Sequence, residues 1–490
     1  MLSIGIWLPA LTTVGVAQSS PGNTTRSNAT LDQTLQGFIH SASVNDATWS
    51  ITVRDSSGHI LESWHSNRLM RPASNLKLLT SAAILHSLGP DYQFETPIYG
   101  IGELRDSVWD GDLLIFGKGD PTISGTLYNG DRFYVFEQIY RSLDSLGIQT
   151  ISGNIIGNES YFDDIPYPKG WNWDDLSFYY GVEINALSFN ENCVDLEVFA
   201  DGKIGDTPQI EWFPYDTDYV EFLNEQVIAP RHTEYDEYYR RVLGTNTIIL
   251  RSSLPQGYYE TESLSVTNPS MFFVDTFYEF LQDSGIEVEG QVGVERQMLD
   301  ERQLAEYKKL HSYKSPPLSE MLSQINKESD NFYTEMLVKT LATDTYGAPG
   351  STEAGISIIR DYAHQVGMDT AQVIMSDGSG MSTRTLLTTE GVSQLLVEMQ
   401  KSKFATLYES SLSVAGIDGT MQYRFRNSPV RGRIQGKSGY MSGVRSMSGY
   451  LDTQSNQKLS FSIITNHYGS PTREVDYIQE QIMEYLYQKY

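Results

Sequence analysis

Apolar and polar positions alternate with period two at residues 49–55 (WSITVRD), and 58–65 (GHILESWH) adds a short β-prone run, which together predict two strands joined by a turn at Ser56, Ser57 and Gly58. Residues 76–88 (LKLLTSAAILHSL) follow as an apolar stretch closed by Gly89 and Pro90, which predicts a buried helix. Between residues 99 and 310 the texture changes to short apolar runs broken by turn residues, as in 112–122 (DLLIFGKGDPT) and 241–252 (RVLGTNTIILRS). This stretch predicts a β-rich insert, long enough for one or two domains. Helical spacing returns at 317–325 and 331–342, and strands are predicted at 434–440, 445–451 and 458–467. A last helix covers 472–487, with Val475, Ile478, Ile482 and Leu486 on one stripe. Two opening strands, three closing strands and flanking helices make one α+β domain, assembled from residues 35–98 and 311–490 and split by the insert 99–310. No internal repeat interrupts this plan.

Length agrees with more than one domain, since 490 residues exceed what a single core usually holds. A net charge of −27 and a pI near 4.6 repel phosphate backbones, which argues against nucleic acid or an anionic membrane surface as partner. Residues 1–17 are apolar, carry no charge and end in small residues, and 18–34 open as a polar linker. That order predicts a secretory signal peptide and export to a periplasm or cell-wall space, although no Lys or Arg precedes the apolar run. No other stretch has the length of a membrane span, so no transmembrane anchor is expected. The one cysteine, Cys193, forms no internal disulfide and reads as a buried bystander.

Three short motifs carry the candidate chemistry: Ser74-Asn75-Leu76-Lys77, Ser329-Asp330-Asn331 and Lys437-Ser438-Gly439. Each is weak alone. A second S-x-x-K lies at Ser455 and Lys458, and S-x-N recurs at Ser43, Ser152 and Ser188. Context separates the copies, because the three chosen ones fall at a helix start, a junction between helices and a strand. Residues three apart share a helix face, so the Lys77 amine comes within reach of the Ser74 hydroxyl. To accept that proton Lys77 must be neutral, which burial and a second cation, Lys437, would favour. The open helix start leaves the Ser74 N–H available for half of an oxyanion hole. Ser329-Asp330-Asn331 also reads as an ordinary helix N-cap, and Lys437-Ser438-Gly439 as an edge-strand turn.

The set S-x-x-K, S-D-N and K-[ST]-G is that of penicillin-binding proteins and class A β-lactamases. Together with residues 71–77 (RPASNLK), 119–122 (GDPT), 170–192, 377–382 (DGSGMS) and 415–421 (AGIDGTM), it resembles the class C low-molecular-mass penicillin-binding proteins of the penicillin-binding protein 4 type. These are D-alanyl-D-alanine carboxypeptidase/endopeptidases, and the likeness spans roughly residues 35–488. The resemblance implies a β-lactamase/transpeptidase-like domain, an antiparallel sheet flanked by helices, interrupted by a large insert. It implies Ser74 as nucleophile, Lys77 as base, Ser329 as proton relay, and Asn331 as the amide holding the substrate backbone. Lys437 would pair with the substrate carboxylate, Ser438 would add a hydroxyl, and the N–H of Tyr440, beyond Gly439, would complete the oxyanion hole. Asp175 and Tyr180 match the acid and aromatic that take the free amino end of the third stem-peptide residue. Where some relatives carry an Arg after the D-G-S-G-L-S segment, this chain has Thr383, with Arg384 one place on.

The implied partners are peptidoglycan stem peptides and, as covalent inhibitors, β-lactams; no cofactor or metal is implied, and the oligomeric state is open. A β-lactamase or esterase on the same fold, or a non-catalytic wall-binding relative, stand as alternatives. Rapid turnover of a penicillin adduct would favour the first, and the Ser74/Lys77 pair argues against the second. Neither an H-E-x-x-H nor a G-x-S-x-G spacing occurs.

Overall fold

The computed structural model describes residues 30–214, 217–236 and 238–490, so the expected leader and residues 18–29 of the expected linker lie outside the described residues. The linker's last residues already belong to the fold: Leu31 is buried and Asp32 caps helix α1, Gln33–Ile39.

The opening strands are β1, Thr48–Arg54, and β2, Ile60–Trp64, and helix α2 runs Leu76–Leu88 behind a single 3-10 turn at Ala73–Asn75. After the insert come helices α3 (Leu318–Asn326), α4 (Asn331–Tyr346), α5 (Thr352–Gln365) and α6 (Thr389–Lys401), and a short strand β3, Ser413–Val414. Strands β4 (Ile434–Met441), β5 (Val444–Asp452) and β6 (Lys458–Asn466) and helix α7 (Thr472–Lys489) close the chain. Opening and closing segments join in one antiparallel sheet of order β3-β4-β5-β6-β1-β2.

Side-chain alternation explains how this sheet is sandwiched. Trp49, Ile51 and Val53 of β1 and Leu459, Phe461 and Ile463 of β6 enter one core with Leu35 and Ile39 of α1 and Val475, Ile478, Ile482 and Leu486 of α7. The opposite face is paved with small polar groups: Ser50 and Thr52 both hydrogen-bond Thr389 at the start of α6, at 2.8 and 2.9 Å. Small side chains let the helical layer approach closely, and paired hydroxyls leave no unsatisfied polar atom at these contacts. That layer, with α2 through α6, forms the second core.

The insert contains a larger mixed sheet, in which strand Glu95–Arg105 pairs with Val108–Phe116 on one side and Lys308–Lys314 on the other. The chain thus leaves and re-enters the first domain on neighbouring antiparallel strands. The β-rich expectation describes this region, and two amphipathic helices add to it. Tyr134–Ser145 buries Val135, Phe136, Ile139 and Leu143, and Pro269–Asp283 buries Phe272, Phe273 and Phe277. A buried lysine anchors the insert to α4: Lys339 Nζ donates to Asp163 Oδ1 at 2.7 Å and to the Ile165 carbonyl at 2.7 Å. Among the described residues no helix is long and apolar enough to cross a membrane.

Candidate active site

Ser74 stands in the 3-10 turn that opens α2, preceded by Ala73 in the left-handed region at φ 46°. A non-glycine residue there costs about 1–2 kcal/mol, a strain concentrated at the residue that aims Ser74. Ser74 is part exposed, whereas Lys77, one turn on, has no solvent access. The Lys77 amine donates to Ser74 Oγ at 3.2 Å, to Asn331 Oδ1 at 2.6 Å and to the Ser379 carbonyl at 2.9 Å. Burial lowers its pKa to about 8, against the opposing pull of Glu335, Asp330 and Asp377.

The Ser329-Asp330-Asn331 segment divides its work. Asp330 is the N-cap of α4, its carboxylate accepting from the Tyr333 N–H at 2.9 Å. Ser329 is held at φ 68°. Asn331 bridges two elements, taking the Lys77 proton donor on Oδ1 and donating from Nδ2 to the Tyr180 carbonyl at 2.9 Å. The amide expected to hold a substrate backbone is therefore turned inward in the free protein.

Strand β4 forms the opposite wall. Lys437 is fully buried and donates to the carbonyl of Ser438 at 2.9 Å; burial first, and the neighbouring Lys77 second, hold its pKa well below the ordinary lysine value. Burial is thus the cause of the depression at Lys77, and the repulsion between the two amines shows on Lys437. Ser438 Oγ donates to Thr420 Oγ1 at 2.8 Å, and the Tyr440 ring is exposed at the strand's end. Gly439 makes the closest approach. A Cβ there would lie 2.3 Å from Ser446 Oγ, 2.9 Å from the Ser74 nitrogen and 3.0 Å from Ala73 Cβ. Gly439→Ala is expected to push β4 off the Ser74 turn, lowering the acylation rate about a hundredfold and stability by about 1–3 kcal/mol; penicillin-labelling kinetics and thermal melts check both.

Asn75 locks these two walls together. Its amide nitrogen faces the Lys437 carbonyl at 2.8 Å, and its oxygen accepts from Ser448 Oγ at 2.6 Å. Sequence reading passed over Asn75 as a variable position of S-x-x-K. It also passed over Thr420 and Glu335, whose signals were, respectively, a small hydroxyl in a loop run and an acid within an apolar helix.

From the insert, Asp175 begins a 3-10 turn, Asp175–Ser177, that leads to Tyr180. Asp175 is half-buried, which raises its pKa, and it accepts from Asn172 Nδ2 at 3.1 Å. The Tyr180 ring stacks on Phe178 at 5.5 Å. Thr383 is tied to the Gly170 carbonyl by its N–H at 3.2 Å, and Arg384 is exposed. The second S-x-x-K and the single cysteine take no part in these contacts. Lys458 of the second S-x-x-K pairs with Glu409, and Cys193 is buried with its thiol pKa driven well up.

A serine hydroxyl against a buried amine of lowered pKa, beside a closely packed backbone strand, is an arrangement that can carry out acyl transfer. Comparison with known proteins gives the same answer independently. The model of the D-Ala-D-Ala carboxypeptidase 3 (S13) family matches residues 31–488. A D-alanyl-D-alanine carboxypeptidase of Actinomadura sp. is 29% identical over 456 residues, covering 90% of this chain and 82% of that protein. The D-alanyl-D-alanine carboxypeptidase DacB of Haemophilus influenzae is 24% identical, covering 84% and 83%. The crystal structure of penicillin binding protein 4 (dacB) from Haemophilus influenzae superposes with a TM-score of 0.79 at 22% identity, over 93% of this chain and 99% of that one. Sharing the β-lactamase/transpeptidase-like fold, the matched length and the serine chemistry, the chain belongs to the D-Ala-D-Ala carboxypeptidase 3 (S13) family of serine peptidases.

Proposed function

We propose that the chain is exported and trims or uncrosslinks peptidoglycan stem peptides through an acyl-enzyme on Ser74, and that β-lactams acylate the same hydroxyl. The observation that carries this reading is the 3.2 Å contact between Ser74 Oγ and a fully buried amine whose pKa is about 8. Neutral Lys77 takes the Ser74 proton as Oγ attacks the carbonyl of the penultimate D-Ala. The oxyanion develops between the N–H groups of Ser74 and Tyr440, where the absent side chain of Gly439 leaves room. Collapse breaks the peptide bond, and the departing amine takes a proton relayed by Ser329. Water then attacks the ester, and Ser74 recovers its proton. A substrate carboxylate arriving beside Lys437 stabilises that lysine's charged form, so it gains its proton on binding. Asn331 serves chiefly to orient Lys77, given its two inward contacts.

Release of D-Ala from a pentapeptide stem, and of monomers from a cross-linked dimer, tests the reaction directly; absence of both from protein that still binds penicillin overturns the peptidase reading. The pH dependence carries a sign. Lys77 must be neutral, so the second-order acylation constant with an uncharged β-lactam should rise about tenfold per pH unit below 8 and level off above it. A stopped-flow profile across that range checks it.

Asp175 and Tyr180 form the proposed seat of the amino end of the third stem residue. Asp175→Asn should raise KM for an amine-bearing stem peptide about tenfold or more while leaving kcat and penicillin acylation near wild type. Steady-state kinetics with the amine free and acetylated measure this, and an equal change for both peptides contradicts it.

A further inference from the structure

Behind Lys77 lies a carboxylate that the reaction as described does not use. Glu335 sits one turn beyond Asn331 on α4, within a helix whose residues from Phe332 to Thr343 are all buried, and it has no solvent access. Its Oε1 accepts two backbone N–H groups, from Gly378 at 2.9 Å and Ser379 at 2.7 Å. Oε2, equally buried, has no hydrogen-bond partner among the described residues. Burying an ionisable group with half of its acceptors unpaired is expensive, and an amide would hold the same two N–H groups more cheaply.

The loop that Glu335 holds is the one that touches the catalytic amine. Ser379 passes its N–H to Glu335 and its carbonyl to Lys77, and Thr80 Oγ1, one turn along α2, donates to the Gly378 carbonyl at 2.7 Å. The same loop presses on the nucleophile turn: a Cβ on Gly380, held at φ +87°, would lie 2.0 Å from the Ala73 carbonyl. Asp377 fixes its other side, accepting from the Ser382 N–H at 2.7 Å and Thr385 Oγ1 at 2.7 Å. We propose that Glu335 is a positioning residue that aims the Ser379 carbonyl at Lys77 and sets a fixed negative charge beside that amine, tuning it as the base.

The chemical need follows from the cleft's own composition. Burial strips Lys77 of basicity, and a buried Lys437 lies on the facing strand. A base is most effective when its pKa lies near the working pH, so some negative charge must oppose the depression. Glu335 is the largest such contribution, ahead of Asp330 and Asp377. The ionisable groups around it are Lys77 on α2, Asp377 on the loop and Lys339 on its own helix, the last paired with Asp163 of the insert. Burial, with Asp377 adding to it, raises the Glu335 carboxyl to about 7, so it is still ionised where Lys77 titrates.

This inference rests on Lys77 being the base, and its test separates the two claims. Acylation by an uncharged β-lactam is followed against pH for wild type, Glu335→Gln and Glu335→Ala. Gln keeps an acceptor for both N–H groups and removes only the charge. Its acid limb should move to lower pH by about one unit, with a plateau within a few fold of wild type. Ala loses the loop's anchor, and its plateau should fall about a hundredfold; if Ala does not fold, the Gln profile alone decides. A Gln profile superimposable on wild type overturns the proposal while leaving Lys77 as base. A wild-type profile without an acid limb overturns the base assignment itself.

Discussion

Ser74→Ala is expected to lower D-Ala release by at least about ten-thousandfold and to abolish the covalent penicillin adduct. In the proposed reaction this hydroxyl is the bond-forming atom, and its neighbours are engaged elsewhere: Lys77 with Asn331 and Ser379, and Ser438 with Thr420. The substitution removes one part-exposed oxygen from a turn held by Asn75 and by the packing of Gly380 and Gly439, so the melting temperature should stay within a degree or two of wild type. Intact-mass analysis after penicillin and a coupled D-Ala assay read the two losses. A variant that retained a stoichiometric adduct would move the nucleophile elsewhere.

Lys77→Met should be almost as inactive, with acylation down about a thousandfold or more, and informative about stability. The folded-state pKa of Lys77, about 8, lies below the unfolded value, so the unfolded chain holds the proton more tightly. Below pH 8 the native state therefore bears the whole penalty, about 3 kcal/mol. The penalty fades as pH rises toward the ordinary lysine value. Methionine fills similar space without that penalty, but it orphans Asn331 Oδ1 and the Ser379 carbonyl, at about 1–3 kcal/mol each. The terms nearly cancel, and the variant should melt close to wild type at pH 7. At pH 10 the wild type has regained most of its penalty, so there the variant should be the less stable. Melts at the two pH values with unchanged order would contradict the assigned burial of a charged amine.

Much of the architecture was legible in the chain. Strand and helix limits around the sheet agree within a few residues, because β1, β5 and β6 alternate large apolar with small polar side chains and α2 is bounded by Gly89. The insert's helices were harder to read, since aromatic residues in Pro269–Asp283 serve strand and helix equally well and only packing decides. The helices α5 and α6 were missed for a related reason: their buried faces are built from Gly, Thr, Ser and Ala as much as from Ile, Leu and Val.

Of the candidate site, spacing could give the Ser74/Lys77 pair but not the partners that three-dimensional closure supplies. Asn331 was named for its amide, yet which atom of that amide meets Lys77 depends on the distant Tyr180 carbonyl. The state of Lys437 likewise depends on the depth of its burial in β4, which no local pattern reports. Glu335 did leave a trace. It and Lys339 are two charges four residues apart in the buried stretch of that helix, and in the fold each finds a separate partner.

The central claim is that one hydroxyl, activated by one buried amine, receives the acyl group. Peptide mapping by mass spectrometry of the wild-type protein, quenched during turnover of penicillin and of a pentapeptide stem, tests it most directly. Both acyl groups should reside on Ser74, at no more than one per chain, and form at rates that rise with pH up to about 8. An adduct on Ser329, Ser438 or any other residue, or acylation that ignores pH through this range, would contradict the account.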